Sequence, residues 1–428
     1  MWTPVDVLRT LFLTRTAGAL VKGSALDWKF WFLRAAAPPF DAVAPAGVVL
    51  FTEAPLLNGA EGQTRTADTY IFSVVLYRLS YLGTVGILSV AVSGGQAPWP
   101  VAVGIAILAP MPTLIIASLE PGEGRTTATA GIGARLAEQG RSLRLLRVRA
   151  ADGADAAAED DARSLAAVPG CESPGVAVSE QEAQTQAAEA EAAGQLCLIE
   201  WQPGVPTEPA AKLSAQVILV SAQTGELRIG DLASAAASLG DALLGVVITR
   251  VASERLEAER ASLQERGLVC LAALPEDRLL AGPAVQEIAE ALHASRLAEG
   301  AEEDEAVEFV MLGPISSDPA QPYFLQHGSK AVINRFDKMD LHLAALATEP
   351  DCLILTGGQQ PSPYLIDRVR GSDAEVTVLL SPEGTVRTME LLDELYGRTR
   401  FSGQRKLTRA IELFRQQLTI EALPEAFR

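Results

Sequence analysis

Short apolar runs separated by stretches of helical periodicity dominate the chain from residue 112 onward. The first run is PTLIIAS at Pro112–Ser118, and others follow at Leu143–Val148, Leu196–Glu200, Val217–Ser221 and Leu244–Thr249. Continuous apolar runs of this length are typical of strands that are buried on both faces. Because helical stretches lie between them, the pattern predicts an α/β domain with a parallel sheet over residues 111–300.

A second set of apolar runs begins after the charged segment AEEDEAVE at residues 301–308. These runs are Phe309–Gly313, Ala331–Asn334, Asp351–Gly358 and Val376–Leu380. Strands and helices alternate again, so we expect a second, smaller α/β domain over residues 301–428 that ends in a C-terminal helix.

Residues 1–110 show neither the strand period nor the helix period, and Gly and Pro are scattered through them. The uncharged stretch from Leu79 to Leu119 could form a membrane hairpin. Gly and Pro residues, however, divide it into pieces shorter than the roughly 20 apolar residues that a span needs. No fold can be assigned to this segment from its sequence pattern. A membrane hairpin and a small accessory domain are two possible interpretations.

The stretch QTRTADTYIFSVVLYRLSYLGT at Gln63–Thr84 resembles a peptide found in unrelated predicted proteins whose reading frame crosses a structural-RNA gene. Met111 stands directly before the first well-formed strand. We therefore expect residues 1–110 to be spurious upstream translation or disordered, with Met111 as the natural start.

Composition and charge exclude several classes of function. The 428 residues are 48% hydrophobic and carry a formal net charge of −18 at pH 7, which argues against a nucleic-acid-binding surface. The four cysteines lie far apart without a CxxC pair, as expected of thiols in a reducing cytoplasm rather than of a disulfide framework or zinc site. We expect a cytoplasmic protein without nucleic-acid or membrane partners.

A glycine-rich turn, LEPGEGRTT, follows the first strand and leads into a helical stretch that ends near Gln139. A strand, a Gly-rich turn and a helix N-terminus in this order direct free backbone N–H groups toward a phosphate. A P-loop requires Gly, Lys and Ser or Thr, and Gly124, Arg125 and Thr126 occupy these places, while Leu119 stands where the first Gly is usual. On spacing alone, a plain strand-to-helix turn remains the alternative.

Acidic residues near this turn are candidates for holding a cation. Glu200 ends the apolar run LCLIE, and ligands of open α/β sheets bind at the carboxyl ends of strands, where Mg²⁺ bound to phosphates would sit. The alternative for Glu200 is an ion pair with a local arginine. The stretch ADGADAAAEDDAR at residues 151–163 either offers a carboxylate to a metal or forms a solvated acidic loop. A capping box from Ser179 to Glu182 predicts the start of a helix.

In the second domain, LILTGG is a strand that ends in a glycine turn, and the following QQPSP predicts a helix start. The backbone N–H groups of Gly357 and Gly358 could bind an anion. A tight turn would need the same two glycines, so both interpretations stay open.

Four segments together resemble the dethiobiotin synthetase-like P-loop domain, which also forms the N-terminal part of long bacterial phosphate acetyltransferases. They are SLEPGEGRTTATAGIGARLAEQG, LIEW, LLGVVITRV and LAALPEDRLLAGPAVQEIAEAL. The resemblance implies binding of ATP or another nucleotide with Mg²⁺, in which Thr126 supplies the magnesium-ligating hydroxyl and Glu200 the acidic strand end. The residues that correspond to the phosphate loop are Gly122, Glu123, Gly124, Arg125, Thr126 and Thr127.

The segments AVINRFDKMDLHLAAL and LILTGGQQPSPYLI resemble the two signature segments of the DRTGG domain, which follows the P-loop domain in those acetyltransferases. Asp337 with Lys338 stands for the namesake Asp-Arg, and Thr356, Gly357 and Gly358 are retained. The resemblance implies a regulatory module, with Asp337 and Thr356–Gly358 as an anion or effector turn. Because the chain stops at Arg428, we expect the acetyltransferase catalytic domain to be absent.

Two lysines of the synthetase-like pattern are arginines here, Arg125 in the loop and Arg147 in the next strand. A planar guanidinium cannot replace the compact ammonium between phosphates without loss, so we expect a degenerate or regulatory nucleotide site with at most weak ATPase activity. The predicted function is nucleotide sensing, in a homo-oligomer or on an acyl-phosphate metabolic enzyme. The alternatives are an ATP-dependent carboxylate-activating enzyme of the dethiobiotin or cobyrinate synthase type, and a scaffold that binds no nucleotide.

Overall fold

The computed structural model describes residues 113–150, 156–223, 225, 227–300, 303–315, 320–371, 376–424 and 427, and the backbone of four earlier strands. These are β1 (Leu13–Arg15), β2 (Tyr70–Phe72), β3 (Leu88–Ala91) and β4 (Ala102–Ile105). The chain divides into two compact units, Met1–Ala109 and Pro110–Arg428. In the first unit, β1 pairs antiparallel with β2, and β3 with β4. The rest of residues 1–110 lies outside the described part of the chain, so the expectations for this segment stay predictions.

A seven-stranded parallel sheet forms the larger part of the second unit. Its strands are β5 (Thr113–Ser118), β6 (Leu143–Arg147), β7 (Cys171–Glu172), β8 (Leu196–Glu200), β9 (Gln216–Ala222), β10 (Leu243–Val251) and β11 (Cys270–Pro275). Their order in the sheet is β11-β10-β9-β5-β8-β6-β7, and every pairing is parallel. All five strands predicted for this domain are confirmed, and β7 and β11 add to them.

Helices connect these strands and cover the sheet. They are α1 (Arg125–Glu138), α2 (Ala156–Ala166), α3 (Glu180–Ala192), α4 (Thr207–Leu213), α5 (Ile229–Leu239), α6 (Leu256–Glu265) and α7 (Arg278–Ala281). The next helix, α8 (Val285–Ala291), packs instead on a second, smaller sheet, where Val285 and Ile288 share a core with Ile333. The predicted end of α1 is confirmed, since Gln139 is its C-cap. The capping box at Ser179 is confirmed too, because the Ser179 and Glu182 side chains each bond to the other residue's backbone N–H.

The central strand β5 contributes to a core on each face of the sheet. Leu114 and Ile116 face one core and Ile115 and Ala117 face the other, and all four are fully buried. This burial on both faces explains the continuous apolar run in the sequence. The strands that follow β5 in the chain, β6 to β8, lie on one side of it, and β9 to β11 lie on the other. The carboxyl end of β5 is therefore the topological switch point, where α/β sheets bind ligands.

The smaller sheet has five strands, β12 (Ser295–Ala298), β13 (Phe309–Leu312), β14 (Lys330–Arg335), β15 (Cys352–Thr356) and β16 (Thr377–Leu380). Their order is β12-β16-β15-β14-β13, and only β12 pairs antiparallel. Its helices are α9 (Ala320–Phe324), α10 (Met339–Leu346), α11 (Pro363–Arg370) and α12 (Thr385–Leu395). The predicted strand–helix alternation is confirmed, and α11 begins with Pro363 as the Pro signal indicated.

The last α-helix, α13 (Gly403–Gln417), contacts α1 and β11 at the larger sheet and residues that flank the strands of the smaller sheet. Its apolar face, which includes Leu413 and Phe414, lies in the core that α1 and β5 share. At its other end, the Arg405 guanidinium donates to Asp351 at 2.8 Å. The sequence-based division counted this helix with the second domain, whereas its apolar face packs on the larger sheet. The domain boundaries themselves stay a prediction.

Two further sequence expectations concern membranes and cysteines. In the described part of the chain, no helix is long and apolar enough to cross a membrane. All four cysteines are free thiols, and Cys197 and Cys352 are buried. This agrees with the prediction of thiols rather than of a disulfide framework.

Candidate phosphate-binding site

The loop from Leu119 to Gly124 connects β5 to α1 at the switch point of the large sheet. Gly122 has φ +75° and Gly124 has φ +92°, a left-handed conformation that favours glycine. A Cβ at Gly124 would also lie 3.4 Å from the side chain of Thr249. The first N–H groups of α1 have no intrahelical acceptor and point toward the loop opening. The loop therefore has the backbone geometry of an anion site.

Thr126 and Glu200, predicted to act together, are in direct contact. The Thr126 hydroxyl donates to Oε1 of Glu200 at 3.0 Å, although the two residues are 74 positions apart. Glu200 is fully buried at the end of β8, and its Oε2 has no hydrogen-bond partner among the described residues. Thr127 is half-buried in the first turn of α1.

Arg125, the first residue of α1, is directed into the protein with only 8% of its surface exposed. Its Nε lies 3.9 Å from Oε1 of Glu200. Its Nη1 is buried and has no hydrogen-bond partner in the described part of the structure. Burial lowers the pKa of Arg125, against the opposing effect of Glu200. The guanidinium of the residue that follows the loop thus holds a buried donor without an acceptor among the described residues.

Arg147 and Asp161 complete a group of four charged side chains with Arg125 and Glu200, called here the arginine–carboxylate cluster. Nε of Arg147 lies 3.2 Å from Oε1 of Glu200 and 3.2 Å from Oδ2 of Asp161. The expected solvated loop at residues 151–163 is wrong for residues 156–163, because they belong to α2 and direct Asp161 toward Arg147. Residues 151–155 lie outside the described part.

Burial dominates the protonation of the two carboxylates in the arginine–carboxylate cluster. It raises the pKa of Glu200 to about 7, assisted by the nearby charge of Asp161 and opposed by Arg147 and Arg125. It also raises the pKa of Asp161, again opposed by Arg147. The arginines therefore offset only part of the desolvation of the two acids.

Glu123 gives the loop a fixed shape. Its side chain is buried, and its carboxylate accepts from the guanidinium of Arg228 at 2.6 Å and from the backbone N–H of Glu120 at 3.0 Å. The Ser221 hydroxyl at the end of β9 donates to the same carboxylate at 3.5 Å. Glu123 thus supports the loop, and its carboxylate is already occupied by donors of the protein.

The end of β10 holds the loop from the other side. The Thr249 hydroxyl donates to the carbonyl of Glu123 at 2.9 Å, and the Arg250 guanidinium donates to the carbonyl of Gly122 at 2.9 Å. Neither residue was singled out from the sequence, although both stand at the end of an apolar strand in the quoted segment LLGVVITRV. Their position at the carboxyl end of a strand is the signal that could have identified them.

The second candidate, the glycine turn of the smaller sheet, uses its own donors. Gly357 N–H donates to the carbonyl of Glu383 at 2.7 Å, and Gly358 N–H to that of Ser381 at 3.0 Å. Both glycines have positive φ, +103° and +66°. Since neither N–H is available to an anion in this conformation, the structure favours the tight turn over the anion turn.

Asp337 and Thr356 lie at the same carboxyl edge of the smaller sheet. The carboxylate of Asp337 pairs with Arg335 at 3.1 Å, and the Thr356 hydroxyl hydrogen-bonds to that of Thr385 at 2.8 Å. The Phe336 N–H between them donates to the Thr356 carbonyl at 3.0 Å. The topology thus brings the predicted turn residues to one edge, with each side chain engaged by a neighbour.

Residues 287–395 match the family model of the DRTGG domain. The chain contains a DRTGG domain. This confirms the expectation drawn from the two signature segments, and the match covers β12 to β16 together with α9 to α12. It begins before residue 301 and ends before α13, the helix that packs on α1.

The chain also resembles part of a characterised enzyme. It is 27% identical over 153 residues to a phosphate acetyltransferase of Nitratidesulfovibrio vulgaris Hildenborough, a stretch that covers 34% of this chain and 21% of that protein. The chain thus spans about a fifth of the length of this curated relative.

Three solved structures show weaker likeness. The regulatory region of Clostridium perfringens pyrophosphatase, with CBS and DRTGG domains, is 12% identical, covers 35% of this chain and 72% of its own, and has a TM-score of 0.25. MinD of Aquifex aeolicus is 17% identical, and the match covers 40% of this chain and 84% of MinD, with a TM-score of 0.29. FtsY of Thermotoga maritima is 20% identical, and the match covers 39% of this chain and 63% of FtsY, also with a TM-score of 0.29. The strand order of the sheet and the strand–loop–helix unit at its centre establish the α/β architecture.

Proposed function

We propose that this chain is a nucleotide-binding regulatory protein whose phosphate loop lies between β5 and α1. The observation that carries the proposal is the buried Nη1 of Arg125, which lacks a partner among the described residues and lies at the N-terminus of α1. A phosphate oxygen would accept from this donor and from the first N–H groups of the helix. The two left-handed glycines let the backbone approach such a ligand closely.

A regulatory role is favoured over a catalytic one by the residues that surround the loop. Arg125 and Arg147 occupy the positions of two lysines in the resembled pattern, and both direct their guanidinium groups at Glu200. A planar, bulky guanidinium replaces the compact ammonium that would lie between transferring phosphates. The DRTGG domain and the partial similarity to a phosphate acetyltransferase support the same proposal.

Helix α13 offers a route from the loop to the DRTGG domain. Phe414 packs against Gly131 of α1, the helix that begins at the loop. At the start of α13, Gln404 N–H and Arg405 N–H donate to the carboxylate of Glu305 at 2.7 and 2.9 Å. If a bound nucleotide shifts α1, the movement would therefore be transmitted through α13 to the connection between β12 and β13.

The predicted magnesium ligands do not fit a cation well. Thr126 and Glu200 lie together, but two guanidinium groups approach the same Glu200 oxygen at 3.2 and 3.9 Å. Across the described residues, no group of three or more His, Cys, Asp or Glu side chains is placed to hold a metal ion.

Calorimetric titration of ATP into the full chain, in buffers with and without MgCl₂, tests the proposal. We expect binding in at least one buffer and a loss of affinity of about 10–100-fold on Arg125→Ala, since a hydrogen bond to a charged group contributes about 1.5–3 kcal/mol. The matched control is Arg266→Ala, which removes an equal charge from an exposed helix end and should leave the affinity unchanged. Absence of binding up to millimolar ATP would contradict the proposal and leave the scaffold alternative.

A turnover assay separates the regulator from the enzyme alternative. We expect no ATP hydrolysis that a small carboxylate stimulates. Stimulated hydrolysis that falls on Thr126→Ala would instead support a carboxylate-activating enzyme. As part of the same proposal, the regulator works in a homo-oligomer or on an acyl-phosphate metabolic enzyme. If ATP controls the homo-oligomer, light scattering of the chain with and without ATP should show a changed mass.

A further inference from the structure

The arginine–carboxylate cluster already contains its own positive charge. When both carboxylates are ionised, Arg125 and Arg147 balance Asp161 and Glu200, and the charges of the four side chains then sum to zero. Oε1 of Glu200 accepts from the Thr126 hydroxyl and also lies 3.2 Å from Arg147 and 3.9 Å from Arg125. A protein site for Mg²⁺ normally supplies unneutralised carboxylate oxygens. Here Oε1 of the carboxylate that would serve lies beside two arginines of the same chain, while Oε2 has no hydrogen-bond partner among the described residues.

The other acidic side chain at the loop does not alter this balance. Glu123 lies near Arg125, but its carboxylate accepts from Arg228 at 2.6 Å and from the Glu120 N–H at 3.0 Å. Arg228 also pairs with Glu120 at the outer side of the loop. A cation placed between Thr126 and Glu200 would therefore be repelled by two buried guanidinium groups without a free carboxylate of the loop to offset them.

An anion bound at the loop would instead be attracted by the protein. The buried Nη1 of Arg125 lacks an acceptor among the described residues, and the guanidinium plane can present parallel N–H donors to phosphate oxygens. Gly122 and Gly124 open the backbone of the loop, and the dipole of α1, a helix of 14 residues, favours negative charge at this point. The positive charge that a phosphate requires is thus built into the protein.

We propose that the loop binds the terminal phosphates of a nucleoside polyphosphate in metal-free form. The positive charge of Arg125 then neutralises the phosphates as Mg²⁺ otherwise would. This inference rests on the proposed function and specifies the ligand of the same site. It separates the site from a magnesium-dependent one by a property that can be measured, the ratio of the dissociation constants with and without the metal. Pyrophosphate, which retains the phosphates alone, should bind under the same conditions.

The experiment compares titrations of ATP and of pyrophosphate into the full chain with excess EDTA and with excess MgCl₂. We expect Kd for ATP in EDTA to be equal to or lower than Kd in MgCl₂, because Mg²⁺ removes negative charge from the ligand. Arg125→Lys keeps the charge but loses the planar pair of donors, so it should weaken binding in EDTA by about tenfold, or 1.4 kcal/mol. The control Arg266→Lys should change neither constant.

The outcomes distinguish this inference from the proposed function. ATP that binds at least tenfold more tightly with MgCl₂ overturns metal-free binding and leaves the nucleotide site standing. ATP that binds in neither buffer overturns both. Equal effects of Arg125→Lys and Arg266→Lys on binding in EDTA would overturn the role assigned to Arg125.

Discussion

Helix α13 should be sensitive to a single methyl group on α1. A Cβ built on Gly131 would lie 2.1 Å from Cδ2 and 2.5 Å from Cγ of Phe414. Such distances are far inside van der Waals contact, and Phe414 is fully buried. Gly131→Ala must therefore displace Phe414, and with it the helix that reaches the DRTGG domain.

Two opposing effects set the size of this change. Alanine in a helix interior is favoured over glycine by about 1 kcal/mol. Overpacking a core commonly destabilises by about 1–3 kcal/mol, and complete loss of a buried Phe side chain by about 3–5 kcal/mol. The clash involves ring atoms rather than the flexible end of a side chain. We therefore expect Gly131→Ala to lower the free energy of unfolding by about 2 kcal/mol and Tm by several degrees.

Thermal unfolding of the full chain, followed by circular dichroism, measures the effect. Gly230→Ala is the matched control, because Gly230 lies in α5 and nothing is within 4 Å of its added Cβ. This control should be neutral or stabilise by up to about 1 kcal/mol. In a Phe414→Ala background, Gly131→Ala should no longer destabilise. If Gly131→Ala unfolds at the same temperature as Gly230→Ala, the packing of α13 on α1 is refuted.

Two more predictions concern buried charges. Burial lowers the pKa of Lys406 to about 8. Because that pKa lies below the unfolded value near 10.4, the folded state holds fewer protons on Lys406 between about pH 8 and 10.4, and the contribution of this lysine to the free energy of unfolding should rise with pH in that window. Lys406→Met should abolish this rise in urea denaturation curves, and an unchanged slope would contradict the assignment. Arg147→Met should destabilise by about 3 kcal/mol because it breaks a buried ion pair. The exposed Arg163→Met should change stability by less than about 0.5 kcal/mol, and equal effects in the same urea assay would show that Arg147 is not a buried partner of Glu200.

Much of the fold was predictable because its signals are local. An apolar run identifies a strand buried on both faces, and a Ser with Glu three positions later identifies a helix start, without reference to the rest of the chain. The strand before the loop, the end of α1 near Gln139 and the capping box at Ser179 were all predicted in this way. Gly122, Gly124 and Thr126 could be singled out for the same reason, since they lie close together in the sequence, and their binding of phosphate stays a prediction.

Contacts between distant positions were decided by the tertiary structure alone. Asp161, Arg147 and Glu200 come from three separate elements, and only the adjacency of β6 and β8 and the path of α2 bring them together. The resemblance predicts a lysine at the position of Arg147, but no sequence pattern indicates that Arg147 shares a carboxylate with Arg125.

The glycine turn and the last helix show the same limit. Whether the N–H of Gly357 is free depends on the carbonyl of Glu383, which another connection of the smaller sheet supplies. The amphipathic pattern of α13 predicts one apolar face. It does not predict that this face packs on α1 of the larger sheet. A period along the chain specifies which face of an element is buried, whereas the partner that buries it is chosen by sheet order and chain path, which no local pattern encodes.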